Sequence, residues 1–508
     1  MDASFIKTIA ESRISMPNEE ELIKERLRKL DEIRKLGVNP YPYKYAPKHK
    51  AKQLAEKYEK LKPEEKTADK TKVAGRIVGL RRMGKICFMH LADETGKVQL
   101  YFKFDDLGEK KYEFLKLLDV GDFIGAEGII LKTKTGELTV SVSNFDILAK
   151  SIRPLPEKWH GLTDIEARYR QRHLDLIMSP ETRENFRKRT MIIDSIRELL
   201  NKQAFLEVDT PSLQTIYGGA NARPFKTHLN ALDMDVYLRI SNELYLKRLI
   251  VGGFERVYEF ARDFRNEDID RTHNPEFTQI EIYQAYADFN DMMELVEDIY
   301  VNAAKKLYGT TKIEYQGNKI DLKKPWERLT MVGAIRKYGD IDVTKLSDKE
   351  LFDLRITFNL EIEGDLTRGK VIQALFEHVV EGKLIQPVFI THHPAETTPL
   401  CKHCREQSNE TKGFVERFEP FIAGMEIANA YSELNDPVLQ RKLLEEQARQ
   451  LRAGATEAHP MDEDFLRAIE TGMPPTGGVG IGVDRMIMLL TNSASIRDVI
   501  FFPFMKKV

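Results

Sequence analysis

FRNEDIDRTHNPEFTQIEIY, residues Phe264–Tyr283, sets both charge signs and three aromatic rings side by side. Its second half alternates. In an extended chain Phe277, Gln279, Glu281 and Tyr283 share one face, and Thr278, Ile280 and Ile282 share the other. The first half opens as a partner strand, with Arg265 and Glu267 on one side and Phe264 on the opposite side. Asp268–Pro275 forms the loop between them and carries Arg271 and His273. One face is therefore core and the other a polar, aromatic floor. A guanidinium fork suits phosphate, flat rings suit a base, and carboxylates suit an amine or a metal. Together they describe a nucleotide site, although a surface hairpin laced with ion pairs would use the same residues.

A second stretch extends this reading. In GGVGIGVDRMIMLL, Gly477–Leu490, Gly480 and Gly482 alternate with Val479, Ile481 and Val483. That is a buried strand whose bare positions let something flat approach the backbone. Asp484 is placed to cap the helix that follows. Arg485 then lies at the helix N-terminus, where dipole and guanidinium both favour phosphate. The spacing is neither a Walker nor a Rossmann loop.

Around these stretches lies a chain of 508 residues, 42% hydrophobic and 31% charged, long enough for two or three domains. No apolar run is long enough to cross a membrane, and the first residues lack a secretory pattern. Three cysteines make no disulfide framework, so a cytosolic home is expected. Residues 1–150 hold 30 Lys and Arg against 24 Asp and Glu, whereas the whole chain is at −2, so polyanion contacts are expected at the front.

The expected fold class is α+β: an N-terminal OB-fold barrel followed by an antiparallel sheet flanked by helices. Residues 1–70 read as a helical extension. Its helix at 18–37 has the stripe Leu22, Leu27, Leu30 and Ile33 and ends near Gly37. Residues 71–150 carry five strands of period two (Val73–Leu80, Ile86–Leu91, Val98–Phe102, Phe123–Leu131, Leu138–Ile147) with a helix at Tyr112–Leu118, the OB pattern. A hinge is expected at 151–168 and the main domain at 169–508. That domain opens with a helix over Glu181–Lys202 and carries a helical insertion at about 341–385. A late helix starts at Asp436-Pro437 and ends at Gly454.

With these residues in view, the chain resembles the class II aminoacyl-tRNA synthetases, the lysyl enzymes most closely. AFLEVDTPSLQ (Ala204–Gln214) is similar to motif 1, the opening stretch to motif 2, and GVGIGVDR (Gly478–Arg485) to motif 3. YRQRHLDLI (Tyr169–Ile177), Gly218–Glu259 and EIANAYSELNDP (Glu426–Pro437) extend the resemblance. It implies a cytosolic homodimeric ligase that joins lysine to tRNA(Lys) with ATP and Mg2+. By position, Arg265 would hold the α-phosphate, Glu267 would meet the adenine amine, and Phe277 would stack on the base. His273 would sit by the terminal phosphates, and Arg485 would clamp the far phosphate and cover the adenine. Glu419 and Glu426 would hold magnesium. Glu281 and Tyr283, with Glu433, would grip the ε-ammonium, and Tyr431 would belong to the same lysine pocket. Glu243 would take the α-amine, with Gly219 and Asn429 at the same end. Glu426 has the opposite strand parity to Asn429, Tyr431 and Glu433, so a bulge near Ala428 is required if all serve one side. In the barrel, Phe88 would stack on an anticodon base, Gln99 would bond the central uridine, and Arg76 would support the nucleotide. Taken alone, Phe88 reads as core.

The resemblance has departures. Ala204 stands where motif 1 usually has glycine, which suggests a local backbone adjustment. Asp268 replaces the glycine after the motif 2 glutamate. His392, His393, Cys401, His403 and Cys404 occupy a segment where the family is plainer; a zinc site there would have only half its ligands in the one C-x-x-C. Two other functions are carried forward: an aspartyl or asparaginyl relative, which the acidic pocket disfavours, and a non-catalytic tRNA-binding paralogue.

Overall fold

The structure is a computed structural model that describes residues 19–156, 164–362, 365–408, 410–452 and 459–507. The chain divides into two compact units, residues 1–161 and 162–508. Part of the expected hinge (157–163) and the Gly454 helix end lie outside the described residues. The chain is helical again from Ile165.

In the first unit, strands Lys66–Met83, Ile86–Ala92, Lys97–Lys103, Leu138–Ala149 and Phe123–Lys132 close a barrel in that spatial order. Only Lys97–Lys103 and Leu138–Ala149 pair parallel. Period-two alternation fills the barrel with Val73, Ile77, Met89, Leu100, Phe102, Ile124 and Val140. The helical piece is longer than read: Phe104–Leu107, Glu109–Phe114 and a tighter turn at Leu115–Leu117, broken by Gly108 at φ +75°. The helix Glu19–Lys35 corrects the expected stripe. Leu27 is 44% exposed, and Arg26 is buried in its stead. The Arg26 guanidinium donates to the carbonyls of Val120 (2.9 Å), Ser151 (3.0 Å) and Arg153 (3.2 Å). A long stem beneath a fork of donors can replace leucine where carbonyls need partners.

The second unit is built on a nine-stranded sheet. Its centre is antiparallel: Arg256–Phe264, Glu276–Ala285, Thr476–Gly482, Ala428–Ser432, Phe414–Ile422 and Val388–Pro394. Leu206–Glu207 and Glu327–Thr330 join its two edges parallel, so the sheet is mixed rather than wholly antiparallel. Ile280, Ile282, Ala428, Ala430, Val479 and Ile481 face one way, into a core shared with helices Pro180–Lys202, Phe289–Tyr308 and Val483–Thr491. The residues between them face the opposite way and make the floor of a cavity. The insertion forms helices Asp348–Thr357 and Arg368–Val379 over a core of its own.

Three local expectations change. The first motif 2 strand ends at Phe264 and the second begins at Glu276, so Arg265 and Glu267 belong to the loop. Asp484 is no cap: the helix starts at Val483 after Gly482. The Asp484 carboxylate accepts from Arg189 (2.5 Å) and from the Thr278 amide (2.7 Å). Ala204 makes no backbone adjustment; it adopts φ +63°, the conformation glycine favours. The Phe205 amide there donates to the Leu200 carbonyl (3.0 Å), closing the helix end as a glycine would.

Candidate active site

One cavity of about 350 Å³ lies over the open face of the central strands. Every residue that the resemblance placed around ATP, lysine or magnesium lines it: Gly219, Glu243, Arg265, Glu267, His273, Phe277, Glu281, Tyr283, Glu419, Glu426, Asn429, Tyr431, Glu433 and Arg485.

Strand register explains the convergence. Gly480 lies between Glu281 and Asn429, and Gly478 between Tyr283 and Tyr431. A Cβ at Gly478 would collide with Glu433 and Tyr283, and one at Gly480 with Glu281 and Gln279. The bare positions thus make room for the pocket's own acids, a use the sequence reading had assigned to a flat ligand. The bulge is present. Glu426 faces Phe421, but four residues later Ala430 faces Phe418, so the strand carries one extra residue around Ile427. That residue brings Glu426 to the same side as Asn429 and Tyr431.

The acidic end is buried: Glu243, Glu281 and Glu433 are 4%, 5% and 0% exposed. Glu281 accepts from Gln279 and from the Tyr283 hydroxyl (3.3 Å). Burial, then the charges of Glu243 and Asp263, hold its carboxyl well above the usual range. Burial also pushes Glu433 up, although Lys247 pulls the other way. Glu433 Oε1 is buried and has no hydrogen-bond partner among the described residues. Gly219, at φ +86°, turns against Ser241 and Glu243.

The opposite end is more open. Arg265 lies over the Phe277 ring at 5.1 Å. Arg485 donates to the Glu426 carbonyl (2.7 Å) and meets His273 Nε2 at 3.0 Å, while Asp270 holds His273 Nδ1 at 2.8 Å. Glu267 accepts from the Arg223 amide (3.2 Å). Partial burial and the Glu419 charge push the Glu426 carboxyl up, against Arg485. Two neighbouring acids that repel each other suit a divalent cation. Magnesium in particular is usually held by one or two carboxylates together with substrate phosphates.

Sequence reading missed several residues here. Lys247, fully buried, pairs with Glu243 (2.6 Å) and Glu433; its four-residue spacing from Glu243 on a helix was the available signal. Arg417, two residues before Glu419 on one strand, pairs with it and donates to Asn429 (3.2 Å). Asp263 is buried behind Arg265 with neither carboxylate oxygen hydrogen-bonded among the described residues, and its pKa is pushed up to about 6, chiefly by burial. Cys401 and Cys404, both buried, diverge: Cys404 joins the insertion core, and the backbone at Cys401 bridges Glu433.

On the barrel, Phe88 lies outside the core and pairs with Tyr101, ring centroids 5.0 Å apart. Gln99 is buried rather than presented. It donates to Glu137 (2.6 Å) and accepts from Thr139 (2.8 Å). Arg76 donates to the Gly121 carbonyl (3.0 Å) and covers the Phe123 ring at 4.2 Å. Tyr101 and Glu137 were not anticipated.

Two family models match the chain: class II tRNA synthetases (D, K and N) over residues 164–506, and an OB-fold nucleic acid binding domain over residues 71–148. Among curated proteins, it is 50% identical to a lysine–tRNA ligase of Clostridium novyi over 96% of this chain and 94% of that protein. It is likewise 50% identical to one of Carboxydothermus hydrogenoformans (96% and 98%) and one of Clostridium perfringens (98% and 97%).

Proposed function

Given that the chain belongs to the class II tRNA synthetase family (D, K and N), we infer that it is a lysine–tRNA ligase, forming lysyl-adenylate from ATP and lysine and passing lysine to tRNA. One observation carries the choice of amino acid. Glu243, Glu281 and Glu433 are buried on one cavity, with an acceptor oxygen of Glu433 left without a partner. Such a wall stabilises a substrate with two ammonium groups. An uncharged or acidic side chain would leave buried carboxylates unpaired, at a cost of several kcal/mol.

The lysine carboxylate attacks the α-phosphorus and pyrophosphate leaves. Arg265 meets the charge on the α-phosphate, with Phe277 under the base and Glu267 at its amine. His273 and Arg485 hold the terminal phosphates. Glu419 and Glu426 would hold magnesium, which supplies positive charge against the triphosphate. No side-chain nucleophile is required, because positioning and electrostatics suffice. The terminal ribose hydroxyl of the tRNA then attacks the carbonyl carbon of the adenylate, forming the ester as the acyl–phosphate bond breaks and AMP leaves. Phe88 with Arg76 takes the anticodon, and Gln99 reads its central base by exchanging its bond to Glu137 for one to the RNA.

A cytosolic homodimer formed through motif 1 completes the reading. Leu206 and Leu213, 46% and 53% exposed, offer that segment apolar surface. Among the described residues no helix is long and apolar enough to cross a membrane.

ATP–pyrophosphate exchange with a panel of amino acids tests the reading. Lysine alone should stimulate it. Stimulation by aspartate or asparagine instead would assign the chain to those relatives. No stimulation by any amino acid, in a folded protein that binds tRNA, would assign it to the non-catalytic paralogue.

A further inference from the structure

Lys247 has no part in the mechanism above, yet it is the most completely enclosed cation beside the cavity. It stands on the helix Glu243–Val251, one turn after Glu243, and its side chain is 0% exposed. Its ammonium bonds Glu243 Oε1 at 2.6 Å and also pairs with Glu433 Oε2, which comes from the chain beyond the strand Ala428–Ser432. The Phe465 ring lies 5.9 Å from Nζ. His459, which lines the cavity, is held neutral near Lys247, its pKa pushed down to about 4 chiefly by burial. Burial alone would lower the lysine's pKa, but the two glutamates raise it above its ordinary value, so Lys247 stays charged.

Two consequences follow from this placement. The first is charge: once substrate binding has displaced any proton from the acids, three buried carboxylates less one internal ammonium leave two negative charges, matching the α- and ε-ammonium groups of lysine. The second is spacing. Glu243 and Glu433 are assigned to opposite ends of the substrate, and Lys247 ties one oxygen of each to a single atom. Neither oxygen of Glu433 has a hydrogen bond among the described residues; Oε2 is held by the Lys247 ion pair, and Oε1 faces no such partner.

We propose that Lys247 is a positioning residue that fixes the charge and the separation of Glu243 and Glu433, and thereby sets the pocket's affinity for a diammonium amino acid. The proposal rests on the lysine reading above. It requires no contact between Lys247 and substrate, and it places the effect on lysine binding rather than on phosphoryl chemistry, whose residues lie at the other end of the cavity.

The test is lysine-dependent ATP–pyrophosphate exchange in the full-length protein, with wild type measured first. Lys247→Met should raise KM for lysine about tenfold or more, the scale of losing a charge-assisted bond. KM for ATP and kcat should stay within about threefold, inside the scatter of an uncoupled site. In Lys247→Ala, added ethylammonium should lower KM for lysine again, whereas in wild type it should only compete. Lys247→Arg keeps the charge and alters the spacing, so it decides the matter if the neutral variants do not fold. Its KM for lysine should rise while its KM for ATP holds. The proposal is overturned if KM for lysine is unchanged in the folded variants, or if lysine and ATP constants worsen together with no response to ethylammonium. A wild-type protein without lysine-dependent exchange would overturn the functional reading itself, before any variant is compared.

Discussion

The two ends of the cavity are built on different principles. At the amino-acid end, charge is buried. Glu281, Tyr283 and Glu433 are held against glycines of a central strand, and an internal lysine ties two of the acids. At the nucleotide end, charge is carried on a loop and a helix start, with the His273 side chain 54% exposed and that of Arg485 22% exposed. Low dielectric magnifies each interaction at the first end and makes a mismatch costly. On the proposed reading the second end admits and releases a highly charged nucleotide, and His273 and Arg485 there keep contact with water. On that reading selectivity belongs to the buried end and chemistry to the open one.

The comparison breaks most sharply at Arg265. Arg265→Met should lower kcat for exchange by about 10²–10³, the cost of losing one donor to a developing oxyanion. Calorimetric lysine affinity should be nearly unchanged. A large loss of lysine affinity would mean that the two ends are not separable.

Glu281→Gln is the mirror experiment. It should weaken lysine by about 1.5–3 kcal/mol, the worth of a hydrogen bond to a charged group, and leave ATP affinity alone. Acidity sharpens the same contrast. Glu281 is held above the ordinary glutamate range, so it takes up a proton early as pH falls. Protonated, it no longer attracts an ammonium. Lysine affinity should therefore fall at a higher pH than ATP affinity does, and lysine binding should release protons, which calorimetry in buffers of different ionisation heat detects. The linked stability has the matching sign. A carboxyl raised in the fold favours the folded state below its unfolded pKa, and that contribution is lost as pH rises through the folded value. Added lysine should offset the loss.

The contrast also shows what a sequence discloses. The alternation at Phe277–Tyr283 and at Gly478–Gly482 is local, and so is the parity conflict that required a bulge beside Ala428; all three are legible from spacing. The barrel's strand pattern was legible for the same reason. What spacing does not disclose is which distant groups meet. Leu27 continues a helical stripe, yet Arg26 is buried because carbonyls near Val120 and Ser151 lie over it. Asp484 has the position of a cap, yet Arg189, far back in the chain, claims its carboxylate. Lys247 was visible as a residue but not as the cation between two pocket acids, because Glu433 is remote in sequence. Phe88 alternates with the core residues Cys87 and Met89, and only the cross-strand neighbour Tyr101 shows that it belongs to an outer pair.

Two smaller effects lie away from the cavity. Phe88→Ala should weaken tRNA binding by about 1 kcal/mol, the low end for a stacked base, since Tyr101 remains; exchange without tRNA should be unaffected. Ala204→Gly should stabilise the fold by about 0.5 kcal/mol, since the strain of a left-handed alanine exceeds the entropy glycine loses. Thermal unfolding would show it, with exchange activity unaltered.

The central claim is that buried acids choose the substrate by its second ammonium. Titration of lysine and of norleucine, which matches its length without the ε-amine, tests this most directly. Lysine should bind about a hundredfold or more tightly than norleucine. Equal affinity for the two would contradict the account.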